Sequence, residues 1–173
     1  DHVTGAGVIF GVTGGVSEAV LRLGYERITE TELENVAFTE VRGYNGMRKW
    51  ELDLQGQGLT LGVVHGLANA KAVLDDLKAG KVHFDLIEVM ACPGGCIGGA
   101  GQPITNVNRK VRQERGAGLY HDDVVTPLHK SQQNPDVLTI YEKWLTEPGS
   151  ETAHEVLHTS YRERGSLWPR PKA

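Results

Sequence analysis

The amino-acid sequence predicts an α/β fold: a partial parallel βαβ layer followed by a small helical segment. Three observations carry this expectation. A β-rich run at residues 59–64, a helical stretch at 67–79 stopped by Gly80, and a second β-rich run at 84–90 follow one another. Strand, helix of about twelve residues and strand form a crossover unit, so the strands should be parallel with a right-handed connection. Beyond residue 106 strand signals cease and helix signals take over.

The chain opens on Gly5-Ala6-Gly7-Val8-Ile9-Phe10-Gly11-Val12-Thr13-Gly14-Gly15, which feeds a helix with Val16, Val20 and Leu23 on one face. Such a loop can offer backbone N–H groups to an anion, or can be a tight turn before a packed helix. It contains no nucleotide-binding glycine fingerprint. Residues 28–46 are polar and are expected to cross the surface. Residues 47–54 alternate from Trp50 as a strand does, and Gln55-Gly56-Gln57-Gly58 is a turn. In the helix at 67–79 the apolar stripe is Leu67, Ala70, Leu74 and Leu77. Residues 106–116 are basic (Arg109, Lys110, Arg112, Arg115) and read as a solvated helix face. Pro135 opens a helix reaching Leu145, Pro148-Gly149-Ser150 breaks it, and Ser150 caps a last helix at 151–158 with Val156 and Leu157 packed inward. The expected organisation is an α/β layer over 1–105, a helical segment over 106–163 and a frayed tail over 164–173.

Composition narrows the function. Of 173 residues 39% are apolar and 23% charged, as in ordinary globular proteins rather than disordered tails. No run of about 18 apolar residues is present to span a bilayer, and the first residues lack the pattern of a signal peptide. A net charge of −4 argues against nucleic acid as the main partner. Glycine is abundant, and the only cysteines are Cys92 and Cys96. Two cysteines build no disulfide framework, and an iron–sulfur cluster takes about four.

Both cysteines fall just beyond the second strand, at the carboxyl edge where parallel sheets bind ligands. Their spacing alone fits two incidental thiols equally well. The filling, Pro93-Gly94-Gly95, followed by Gly98, Gly99 and Gly101, places the least bulky residues where backbone must approach something closely. Consecutive N–H groups there could converge into an anion-binding nest. Structural zinc wants a second ligand pair, and a redox dithiol prefers a two-residue spacer. Thiolates ligating an iron–sulfur group fit best.

The stretch Met90-Ala91-Cys92-Pro93-Gly94-Gly95-Cys96-Ile97-Gly98-Gly99-Ala100-Gly101-Gln102-Pro103 resembles the third H-cluster motif of [FeFe]-hydrogenases, M-A-C-P-G-G-C-x-x-G-G-G-Q-P, with Ala100 as its one departure. The opening residues 4–16 resemble the family's T-G-A-G-x-I-F-G-x-T-G-G-V stretch, with Ser17 where methionine is commoner. From about 107 to 161 the chain resembles the hydrogenase small-subunit domain: Asn134-Pro135, Tyr141, Leu145, Pro148 and the run 153–159 fit, whereas Gln132 replaces a usual histidine. The resemblance implies an H-cluster, a [4Fe–4S] cubane joined through a cysteine to a two-iron subcluster with CO, CN and a bridging dithiolate. Carried over residue by residue, Cys92 is similar to a cubane ligand and Cys96 to the bridging cysteine. Met90 and Phe10 match apolar residues lining the two-iron site, Gly11 lies against it, and Gly94 and Gly95 belong to the cluster-holding loop. In that family H₂ is split heterolytically, and the protein supplies ligation, a dry pocket and a proton path. Implied partners are H₂ and protons, a ferredoxin or NAD(P)-linked electron-transfer subunit, and the polypeptide carrying the other motifs. Neither T-S-C-C-P nor M-P-C-x-x-K-x-x-E occurs here. The chain is therefore expected to be the C-terminal part of a catalytic subunit, or a split subunit, inactive alone; the fused small-subunit segment and the lack of an export-signal pattern imply a cytoplasmic enzyme.

Two rival readings remain. Hydrogenase-like cluster-assembly proteins keep cubane cysteines without H₂ chemistry. His154-Glu155-Val156-Leu157-His158 also satisfies the H-E-x-x-H pattern of zinc metallopeptidases. That motif lacks its usual third ligand: Tyr161 and Arg164 stand at the extension positions, leaving Glu163 alone downstream.

Overall fold

A computed structural model describes residues 2–103, 108–160 and 162. The expected boundary at 105/106, the tail, Tyr161, Glu163 and Arg164 lie outside the described residues. Helix α1 (Gly5–Val8) is capped by Thr4, whose hydroxyl accepts the Gly7 N–H at 3.2 Å. A 3-10 turn over Ile9–Gly11 leads to α2 (Gly15–Thr29). The anion at the start of α2 belongs to the protein itself. The buried Glu88 carboxylate accepts the N–H groups of Gly14 at 2.7 Å and Ser17 at 2.8 Å, where unpaired amides favour negative charge.

Strand β1 (Met47–Leu54) turns through Gln55 and Gly56, both at positive φ, into β2 (Gln57–His65) and pairs with it antiparallel. Helix α3 (Leu67–Lys78) then crosses to β3 (Leu86–Met90), parallel to β2 in a register from Leu61 opposite Leu86 to His65 opposite Met90. The expected parallel pair is present, with an antiparallel edge strand added to it. With order β1-β2-β3, β2 is central, so its second half is buried. Leu21, Val41 and Leu61 form one core cluster with Phe38, Trp50, Leu52 and Leu86. Val64, Ala70 and Val73 form another with Met47, Leu77, Phe84 and Ile87.

Several expectations are corrected. Val20 and Leu23 are exposed, and α2 instead buries Glu18, Leu21 and Arg22. The reason is an ion network: the fully buried Arg22 binds Asp123 at 2.6 Å and Glu18 at 3.1 Å, while Arg42 binds Glu18 at 2.6 Å. Residues 28–46 do more than cross the surface, since Val41 is fully buried and Arg42 reaches that network. Leu67 and Leu74 are exposed, and Ala70 and Val73 make the buried face of α3.

Helix α4 (Arg109–Val125) begins at Asn108, whose side chain accepts the Val111 N–H at 3.0 Å, and packs against α1. Helix α5 (Pro135–Ile140) changes into a π-helical turn over Tyr141–Leu145 instead of continuing as one α-helix. Ser150 caps α6 (Glu151–Leu157) as expected, its hydroxyl accepting the Ala153 N–H at 3.1 Å. Val156 and Leu157 are exposed, contrary to expectation. The chain forms two compact units, Asp1–Asp136 and Val137–Ala173.

Candidate functional site

The cysteine loop leaves β3 at Met90 and lies beyond the carboxyl ends of the two parallel strands, where ligands bind on such sheets. Gly94 and Gly95 both adopt left-handed φ, at 85° and 93°. A Cβ on Gly95 would stand 2.8 Å from the Gly11 carbonyl oxygen and the Thr13 nitrogen, and 3.0 Å from Met90 Sδ. Gly11, Met90 and Gly95 therefore converge. Gly99 closes over the other cysteine, since a Cβ there would be 3.1 Å from Cys92 Sγ. Cys92 is half-buried and Cys96 exposed; neither is in a disulfide. Cys96 borders a largely apolar cleft of about 590 Å³ with Val8, Gly11, Ile97, Pro103 and Leu119. Phe10 belongs to the same turn as Gly11 but is 46% exposed and does not line that cleft.

The loop glycines do not form the expected open nest. The N–H of Gly94 goes to His65 Nδ1 at 3.1 Å, that of Gly95 to the Cys92 carbonyl at 3.1 Å, and those of Gly98 and Gly99 to Gly95 and Cys96 carbonyls at 3.0 Å. The basic helix is also more than a solvated face. Arg109 and Lys110 are exposed, but Arg115 donates to the Ile97 carbonyl at 2.8 Å and the Pro103 carbonyl at 3.1 Å. The Arg112 stem lies where a Cβ on Gly94 would sit, at 2.8 Å, and the Tyr44 hydroxyl donates to the Arg112 carbonyl at 3.2 Å. Arg48 donates to the carbonyls of Gly43, Asn45, Thr13 and Val41. Burial lowers its pKa, against the opposing attraction of Glu88. His65, Glu88, Arg48 and Arg115 are thus supports of the site that sequence reasoning missed. A histidine ending a strand and a glutamate inside one were the visible signals.

As a cluster site, the loop supplies two thiols with glycines that let backbone pass close to sulfur. It does not complete a ligand set. The chain has two cysteines, and no group of three or more metal-ligating side chains exists among the described residues. The donors fit half of a four-thiolate cubane. On α6 and the residue after it, the His154 and His158 rings sit 4.5 Å apart, sharing a face as their spacing requires.

A family profile described as "Iron only hydrogenase large subunit, C-terminal domain" matches residues 1–100. The chain belongs to the iron-only hydrogenase family. A second profile, "Iron hydrogenase small subunit", matches residues 109–164. The chain is 48% identical over 164 residues to the NADP-reducing hydrogenase subunit HndD of Solidesulfovibrio fructosivorans, covering 95% of this chain and 28% of that protein. It is 48% identical over 101 residues to a periplasmic [Fe] hydrogenase large subunit of Nitratidesulfovibrio vulgaris, covering 58% of this chain and 24% of the other. Cytosolic iron-sulfur assembly component 3 of Bos taurus is 31% identical over 87% of this chain and 31% of its own length. The [FeFe]-hydrogenase HydA1 of Chlamydomonas reinhardtii superposes with a TM-score of 0.67 at 34% identity, covering 88% of this chain and 45% of that one. The chain spans under a third of the length of these curated relatives. No described helix is long and apolar enough to cross a membrane.

Proposed function

We propose that the chain is part of an iron-only hydrogenase that reversibly combines two protons and two electrons into H₂ at an H-cluster. The observation that carries this reading is the convergence of Gly11, Met90 and Gly95 on the loop between Cys92 and Cys96, with Cys96 bordering an apolar cleft. In this reading Cys92 ligates the cubane and the Cys96 thiolate bridges to the two-iron subcluster. When bound, the cluster supplies electron storage and the iron site at which H–H bonds are made and broken. The chain's own residues ligate, shape and dry the pocket: Val8, Ile97 and Leu119 line the cleft, and Met90 backs the loop. The other two cubane cysteines come from outside these 173 residues. A ferredoxin or NAD(P)-linked subunit exchanges electrons with the complete enzyme, a reading supported by the NADP-reducing relative. A cytoplasmic setting belongs to the proposal, supported by the joining of both hydrogenase segments in one chain.

The test is Cys96→Ala in the complete enzyme. The expected result is loss of two-iron attachment, read as loss of the infrared bands of CO and CN ligands, with loss of H₂ turnover. Unchanged activity would sink the bridging assignment. A second reading, a cluster-assembly protein without H₂ chemistry, is favoured by the assembly-component relative. It requires a cubane with no CO or CN bands in the wild-type protein.

A further inference from the structure

His65 ends the central strand, is 8% exposed, and lies opposite Met90 in the parallel register. Nothing in the hydrogenase reading uses it. Its ring is engaged at both nitrogens: Nδ1 accepts the Gly94 N–H at 3.1 Å, and Nε2 lies 3.3 Å from the Tyr44 carbonyl oxygen. Acceptance at Nδ1 leaves the proton on Nε2, so these two bonds together define one neutral tautomer. Burial lowers the pKa of this imidazole, and Arg48 and Arg112 push the same way against the Tyr44 carbonyl. The backbone of His65 is equally tied. Its N–H donates to the Gly46 carbonyl at 2.9 Å, and its carbonyl accepts from Asn69 Nδ2 at 2.8 Å.

The residue it holds is the midpoint of the cysteine spacer. Gly94 sits at φ 85°, and its own carbonyl accepts the Thr13 N–H at 3.0 Å. The two peptides of Gly94 are therefore tethered on opposite sides, one to the end of β2 and the other to the opening glycine loop. A buried N–H that loses its acceptor pays its full desolvation, so an exchange of His65 for an apolar residue displaces the loop instead of leaving it in place.

We propose that His65 is a positioning residue for the Cys92–Cys96 pair: its Nδ1, by accepting the Gly94 N–H, sets the direction and separation at which the two thiolates are presented to the iron–sulfur group. The identity of that group rests on the hydrogenase reading above; the fixing of the loop rests on the hydrogen bond alone.

His65→Phe keeps the bulk of the ring and removes the acceptor. His65→Asn restores an acceptor atom on Cγ, where Nδ1 stands. In the metal-free protein, with circular dichroism matched across the three forms, Gly94 amide exchange read by NMR should rise about tenfold in H65F and return close to wild type in H65N. In the complete protein loaded with iron and sulfide, H65F should shift the EPR g-values and midpoint potential of the cluster, and H65N should restore both. Unchanged Gly94 exchange in H65F would overturn the proposal. So would faster exchange with an unaltered EPR signature and potential, or an H65N that behaves like H65F. A wild-type cluster indifferent to Cys92 and Cys96 would instead overturn the hydrogenase reading, and the exchange arm would still decide whether His65 fixes the loop.

Discussion

At Gly95 a backbone φ of 93° coincides with a space that one Cβ would fill against the Gly11 carbonyl and the Thr13 nitrogen. Gly95→Ala therefore combines left-handed strain with a backbone collision, and the expected loss is about 1–3 kcal/mol. Thermal melting should record it, together with weakened iron retention in the complete enzyme; a neutral substitution would mean the loop has slack that its contacts do not show. A second residue-scale effect concerns Glu26. The Lys130 ammonium, the Leu33 N–H and the Gln132 amide hold its carboxyl well below its ordinary 4.5, at about 2. Because the folded pKa is depressed, the stabilisation is fully present above pH 4.5 and is lost as pH falls toward 2. Glu26→Gln should lower the melting temperature at pH 7, and the two proteins should converge as pH falls through about 2. A gap that persists in acid would contradict this origin.

Between elements, a buried ion pair ties α2 to α4. Arg22 is fully buried and is held by Glu18 and Asp123, with Arg42 on the far side of Glu18 and stacked over the Tyr120 ring at 4.0 Å. Arg22→Met should cost about 3–5 kcal/mol, because Asp123 loses its arginine and stays buried with only the His129 ring 3.8 Å away. Adding Asp123→Leu should recover part of that loss in urea unfolding, since removing both charges costs less than stranding one. If the double variant is as unstable as the sum of the singles, the pair is not coupled. This network also explains which elements could be read from sequence. The two parallel strands were legible because apolar runs around a helix of fixed length leave few topologies. The α2 and α3 faces were not, because periodicity locates a stripe without saying which neighbouring stripe turns inward. Exposed Val20, Leu23, Leu67 and Leu74 show the consequence. The basic stretch carrying Arg115 read as solvated, and no period in α2 marked Glu18 and Arg22 as buried, because Arg42 and Asp123 reach them only in the fold. The cysteine loop was legible, since its glycines are needed locally. Its brace, His65, was not, because no sequence period marks a bond to a backbone amide 29 positions away.

For the molecule as a whole, the decisive quantity is the ligand count. A cubane takes about four thiolates, and this chain contains two cysteines, both on one loop. Two thiolates would leave the remaining irons to water or foreign ligands. The hydrogenase relatives are more than three times as long as the matched region, which leaves ample polypeptide for the missing donors. The 173-residue chain alone, treated with iron, sulfide and the two-iron subcluster, should therefore evolve no H₂ from a reduced dye, measured by gas chromatography. Supplying the polypeptide that carries the other two cysteines should restore turnover, and Cys92→Ala should abolish it again. Metal analysis of the restored complex should return iron and sulfide, not zinc, because the His154–His158 pair gains no third ligand among the described residues. Turnover by the isolated chain would refute the divided ligand set, since a catalytic cluster would then stand on two thiolates alone.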